Sequence, residues 1–284
     1  MIRKSLFIIS ITLLTSALSL PGQTTGPSAE KKLAVLFARL VANNNDSAKL
    51  AVNDSIIAII DSYVLSDTVM KHTLQGVKYL GQITDSNHKL KIITWNLILN
   101  ESKSRYYCYF INNSGNVPVA RKLTAIYNEE PVRTDVQYSE KDWYGALYYD
   151  LKAIRKDRKT YWILLGIDYG NPSVTRKLIE VMSFAPDGQV QFGDKIFESG
   201  KVLKYREVLE YSSEAVISLK FLNDRTIVFD HLVPVSPQMK GQKEFYGPDF
   251  SYDSYTLEKG IWKFNANVDV RNKNLTGKEA EKML

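Results

Sequence analysis

Two textures alternate along the chain. From Ser28 the apolar residues Leu33, Leu36, Phe37, Leu40 and Val41 recur at helical spacing and stop at Asn43-Asn44-Asn45. An amphipathic helix of that span follows, because apolar residues three and four apart share one face. A second helix is predicted from Asn45 or Asp46 to Val64, with Leu50, Ile57, Ile60 and Val64 on its face and Ile56 and Tyr63 beside them. The pair reads as a hairpin whose stripe is a packing face. Residues 67–75 read as either a short third helix or irregular chain.

After Gly81 the pattern changes to runs rich in Tyr, Val, Ile, Phe and Trp, broken by turns such as Asn112-Asn113-Ser114-Gly115-Asn116 and Ala185-Pro186-Asp187-Gly188. Strands are predicted at 89–98, 104–112, 117–127, 143–153, 160–168, 175–184, 188–197, 202–211, 214–221, 226–233, 252–257 and 261–270. Short strands with short turns call for antiparallel neighbours. Trp262, Phe264, Ala266, Val268 and Val270 alternate with Lys263, Asn265, Asn267 and Asp269, the mark of a strand with one wet face. Tyr106 to Ile111 and Tyr161 to Ile167 are apolar on both faces and should be central, covered on both sides. The expected fold is α+β: an N-terminal helical hairpin, then a large, mainly antiparallel β-meander forming a sandwich or a partly closed barrel. No fixed-period repeat argues for a propeller or solenoid.

Residues 1–23 differ from both textures: Arg3 and Lys4, then a mostly apolar run from Ser5 to Leu20, then Pro21-Gly22. That is the layout of a cleaved export signal, and the run is shorter than the roughly 20 apolar residues a membrane span needs. The division expected is a signal at 1–23, helices at 24–80, a β domain at 81–270 and a polar tail at 271–284, in which Thr276 and Glu279 are spaced to cap a short helix. No second apolar run follows Leu20, so no transmembrane span is expected in the mature chain. The lone cysteine, Cys108, excludes an internal disulfide. Removing Arg3 and Lys4 from 37 basic residues leaves 35 against 31 acidic ones, a mature charge of +4. That excess is too mild to imply nucleic acid.

Candidate chemistry is sparse. His72, His88 and His231 stand in no metal-ligand spacing, so neither a metal nor a cofactor is expected. His231 is the most informative of them, since it continues the apolar face of Ile227, Phe229 and Val233. It is either a half-buried histidine with a satisfied partner or a general base. Carboxylates at predicted strand ends or loops are Asp150, Asp168, Glu207, Glu210, Glu214, Asp230, Asp249 and Asp253; a glycoside hydrolase needs two of these at a set separation. The segment Glu244 to Tyr255 reads as a loop dense in aromatics and acids, able either to hold a sugar or peptide or to cap the core, and Trp143-Tyr144 reads the same way. The ligand-binding candidates are therefore Trp143, Tyr144, His231, Tyr246, Asp249 and Tyr252; no catalytic residue is assigned.

The blocks Lys91–Asn96, Trp143–Leu151, Tyr161–Asp168, Phe192–Phe197, Glu210–Val216, Ile227–Pro234 and Tyr246–Asp249 resemble an uncharacterised family of exported proteins from Gram-negative bacteria, over residues 30 to 270. The resemblance implies export to the periplasm or cell surface and a shared fold, and carries over no catalytic residue. Two functions stay open. One is a non-catalytic periplasmic or surface binding or assembly module, its partner a glycan or another envelope protein. The other is a hydrolase of glycan or peptide that works through a carboxylate or a site containing His231.

Overall fold

The computed structural model describes residues 28–100, 103–156, 159–169 and 172–269. The expected signal, the polar tail and the Thr276–Glu279 cap lie outside them. Helix α1 spans Ala29–Ala42 and α2 spans Asp46–Val64. Ser28 and Asn45 cap their N-termini, with the Asn45 side chain accepting from the Ala48 amide at 2.9 Å. The buried stripe of α2 includes two polar residues, Lys49 and Asn53, beside Val52, Ile56, Ile60 and Val64. Each has a partner: Lys49 Nζ donates to the Ile98 carbonyl at 2.8 Å, and Asn53 Oδ1 accepts from Trp95 Nε1 at 2.8 Å. Leu50 and Ile57, which the spacing puts on the face, flank it instead. Residues 67–75 make one turn, with the His72 amide on the Thr68 carbonyl, and then leave the helical path. The carbonyls of Val69 and His72, which a continuing helix would use, are taken by Lys91 Nζ at 2.8 and 2.5 Å.

Three sheets follow. The first holds β1 (Gly81–Thr84), β2 (Leu90–Leu97), β3 (Arg105–Asn112) and β4 (Val119–Ile126) in sequence order. The second holds β5 (Tyr138–Ser139), β6 (Leu147–Lys156), β7 (Lys159–Asp168), β8 (Val174–Phe184) and β9 (Val190–Phe192) in the order β5-β9-β8-β7-β6. The third draws on β10 (Phe197–Ser199), β11 (Val202–Lys204), β13 (Leu219–Asn223), β14 (Thr226–Pro234), β15 (Tyr246–Glu258) and β16 (Ile261–Asn265), ordered β11-β10-β16-β15-β14-β13. Strand β12 (Arg206–Ser212) pairs with the first half of β8. Neighbours are antiparallel except β10 with β16.

The layers share three cores. Ile93, Trp95, Tyr107 and Tyr109 pack the first sheet against Leu33, Phe37, Ile56 and Ile60 of the helices. Ile92, Cys108 and Phe110, from the other face, meet Trp162, Leu164, Leu178 and Met182 of the second sheet. Ile163, Leu165, Ile179 and Val181 then meet Phe229, Tyr255 and Trp262 of the third. Middle layers are why β3 and β7 are apolar on both faces, as their sequence requires. The sheets stack and do not close into a barrel. No helix among the described residues is long and apolar enough to cross a membrane.

The segment expected to be a loop at 244–255 is mostly strand. In β15, Tyr246, Gly247 and Pro248 pair with Pro234, Val233 and Leu232, and pairing resumes only at Tyr252 with Asp230. Four steps on β15 thus oppose two on β14, a bulge at Asp249–Ser251 that destroys the period-2 pattern by which a strand is recognised. The strand predicted at 261–270 stops at Asn265, and Asn267 adopts φ +54°, outside strand geometry.

Candidate functional site

The bulge lies opposite His231. Along β14, Ile227 and Phe229 point into the third core, and His231 is the next residue on that face. Phe229 is in register with Asp253 of β15, so the Asp253 side chain points the same way and is only 5 % exposed. A buried carboxylate must be satisfied. His231 Nδ1 lies 2.8 Å from Asp253 Oδ2, and the Asn267 amide donates to Oδ1 at 3.1 Å. A carboxylate on Nδ1 places the proton there and leaves Nε2 as the acceptor of a ring whose side chain is 36 % exposed.

Across the cleft stands β12, with Glu207 and Leu209 facing the third sheet. The Glu207 carboxylate accepts from Lys204 Nζ at 2.9 and 3.1 Å and from the Tyr255 hydroxyl at 2.5 Å. Burial, then the Glu207 charge, pushes the Tyr255 hydroxyl far above its ordinary value, so it stays neutral and donates. Ser199 and Phe264 complete a cleft of about 240 Å³. That is below the roughly 300–1,000 Å³ of pockets for drug-sized molecules, and suits one ring-sized group. A larger hollow of about 500 Å³ lies beside Phe245 and Tyr246. Its exposed acids, Glu214 and Glu244, join no ion pair among the described residues, whereas the smaller cleft holds two connected polar networks.

The sequence candidates disperse. Asp249 sits in the bulge, exposed; hydrogen bonds from the Ser251 hydroxyl and amide hold its carboxyl below the usual value. Tyr252 is in register with Asp230 and so lies on the face opposite His231. Tyr246, at the far end of β15, accepts from the Gly241 amide at 3.0 Å and carries Lys243 Nζ 4.7 Å from its ring. Trp143 and Tyr144 belong to the core between the first and second sheets. Trp143 Nε1 donates to the Tyr148 hydroxyl at 3.0 Å, and Tyr144 donates to Glu180 Oε2 at 2.7 Å. Glu180 is paired with Arg206 at 2.7 Å, both side chains 0 % exposed. Arg206 and Glu207 are successive residues of β12 on opposite faces, so the second sheet divides that network from the His231 cleft.

Other carboxylates are also engaged. Asp168 and Glu210 hold Arg176 at 3.4 and 3.0 Å, and Asp230 accepts from the Ser218 amide at 2.7 Å. Among the described residues no three His, Cys, Asp or Glu side chains converge on a metal-sized point. Lys204 and Ser199 were invisible as site residues: one reads as an ordinary charge and the other as a turn residue before Gly200. Compared with protein-family models, curated proteins and solved structures, the chain gives no match.

Proposed function

We propose that the chain is an exported, non-catalytic binding module of the cell envelope that holds a hydroxyl-rich ligand, the end of a glycan, in the His231 cleft. The observation carrying this reading is the convergence on one small cleft of two polar networks, His231–Asp253 within the third sheet and Lys204–Glu207–Tyr255, in which Glu207 of β12 is held by two residues of that sheet. A sugar hydroxyl both donates and accepts. Such a group is matched by His231 Nε2 and the Glu207 oxygens as acceptors and by Lys204 as donor. Glu207 and Asp253 both act as acceptors with two partners each, the posture of anchored side chains rather than of a proton donor. Export rests on the basic-then-apolar segment 1–23.

Titration calorimetry with a panel of mono- and oligosaccharides tests the reading. Binding by the wild type that falls at least about tenfold in His231→Ala, a loss of about 1.4 kcal/mol, is expected. Binding untouched by His231→Ala, or no binding across the panel, refutes it. A second reading is favoured by one feature, two carboxylates and a histidine in the same cleft: a glycan hydrolase. Turnover of nitrophenyl glycosides that disappears in Glu207→Gln would select it.

A further inference from the structure

Phe250 is the most exposed large hydrophobic residue described, at 94 %, and it holds φ at +68°. Each fact is unfavourable for a phenylalanine. A bulky side chain in the left-handed region is strained, since its Cβ crowds the backbone, and glycine would take the same conformation freely. Strain is normally offset by burial, yet Phe250 belongs to none of the three cores. Among the described residues no ring contact or core cluster includes it.

Its position is not arbitrary. Phe250 is the middle residue of the bulge that opposes His231. Asp249 locks the bulge by accepting from the Ser251 amide at 3.1 Å and its hydroxyl at 2.7 Å. The exposed aromatic ring is thus carried on a fastened stretch of backbone that lies opposite His231, a residue lining the cleft. Strained, unburied residues held by their surroundings concentrate at ligand clamps.

Resting on the binding reading above, we infer that Phe250 is a ligand-contacting platform on which the apolar face of a pyranose ring stacks while its hydroxyls enter the His231 cleft. The ligand class follows from the ring. A sugar whose hydroxyls are equatorial offers a face of C–H bonds to an aromatic π-surface, and a β-linked glucan repeats that face along the chain.

The test uses the described chain with cellotetraose as probe and four proteins: wild type, Phe250→Gly, Phe250→Trp and His231→Ala. Phe250→Gly is expected to weaken binding at least about tenfold while raising the thermal midpoint, because the strain is relieved. Phe250→Trp should keep the affinity. A purely structural Phe250 gives the reverse, a lower midpoint with binding intact, and overturns the inference. If His231→Ala loses binding but Phe250→Gly does not, the platform is refuted and the cleft stands. If the wild type does not bind cellotetraose, the glucan platform is overturned, and the wider sugar panel then decides the fate of the binding reading itself.

Discussion

Lys91 is a buried cation with no carboxylate partner among the described residues, and this makes its effect on stability calculable. Its side chain, on β2, is 1 % exposed and donates to the Tyr63 hydroxyl at 2.8 Å and to the carbonyls of Val69 and His72. Burial lowers its pKa from 10.5 to about 8. Between these values the unfolded chain holds a proton that the folded one does not, so stability rises with pH across that window. At pH 7 the charged form costs about 3 kcal/mol; about 2 kcal/mol of that is recovered between pH 8 and pH 10. Tyr63 acts oppositely, since burial and then the Glu30 charge push it up to about 12, but its stabilisation is lost only above its ordinary value of 10. Urea unfolding of the wild type and Lys91→Met at pH 7, 8, 9 and 10 isolates Lys91, because every other titration enters both proteins. The wild type should gain about 2 kcal/mol on the variant from pH 8 to 10. A flat difference means that the amine is hydrated and that the helical hairpin does not seal the first core.

Further substitutions and one thiol reagent probe other layers. Arg206→Met strands the buried Glu180 carboxylate and unpairs the carbonyls of Arg133, Val136 and Phe192, so urea denaturation should show a loss of about 3–5 kcal/mol. Adding Glu180→Gln should restore at least about 1 kcal/mol; strictly additive costs would refute the coupling. Cys108 is 0 % exposed and burial pushes its thiol well up, so an aromatic disulfide reagent should find no thiol at pH 8 until denaturant is added, and then one per chain. Gly145→Ala should cost about 1–3 kcal/mol of thermal stability, because the residue sits at φ +88° and the new Cβ would lie 2.7 Å from Tyr106 Cδ2. Gly200→Ala, at φ +63° with nothing within 4 Å, carries only the backbone part and should cost less.

The helices were legible because their periodicity is strong and their caps are side chains visible in the sequence, Ser28 and Asn45. The face of α2 was read about one residue off, since Lys49 and Asn53 are buried by partners, Ile98 and Trp95, that only the fold supplies. Strands with one wet face or two apolar faces were found; β1 and β5 were missed, being four and two residues long and stabilised by neighbours rather than by their own pattern. His231 was legible as a polar break in an apolar face, and Asp253 only as one carboxylate among eight. Their pairing depends on a register that the bulge sets. Trp143 and Tyr144 could not be placed from sequence, because a half-polar aromatic pair reads alike in a binding loop and in a core; the fold packs them against the second core with Tyr148 and Glu180 as hydrogen-bond partners.

The place of the cleft follows from where the packing of the third layer ends. Burial along β14 falls from Ile227, Val228 and Phe229, all buried, to Asp230 and beyond, all partly exposed. His231 is therefore the first inward-facing residue of that strand past its fully buried run, with Leu232 still packed on the edge of the core. An apolar side chain there would face water on one side, while a charged one would lose hydration on the other. A histidine spans that boundary with an apolar ring face and two polar atoms. Asp253, one register step deeper and opposite Phe229, is too buried to stand alone and binds the inner nitrogen of the ring. The outer nitrogen then has no packing function left to serve. The bulge at Asp249–Ser251 completes the arrangement by ending regular pairing at that same point, so one interruption in β15 lies opposite His231 and carries the exposed Phe250.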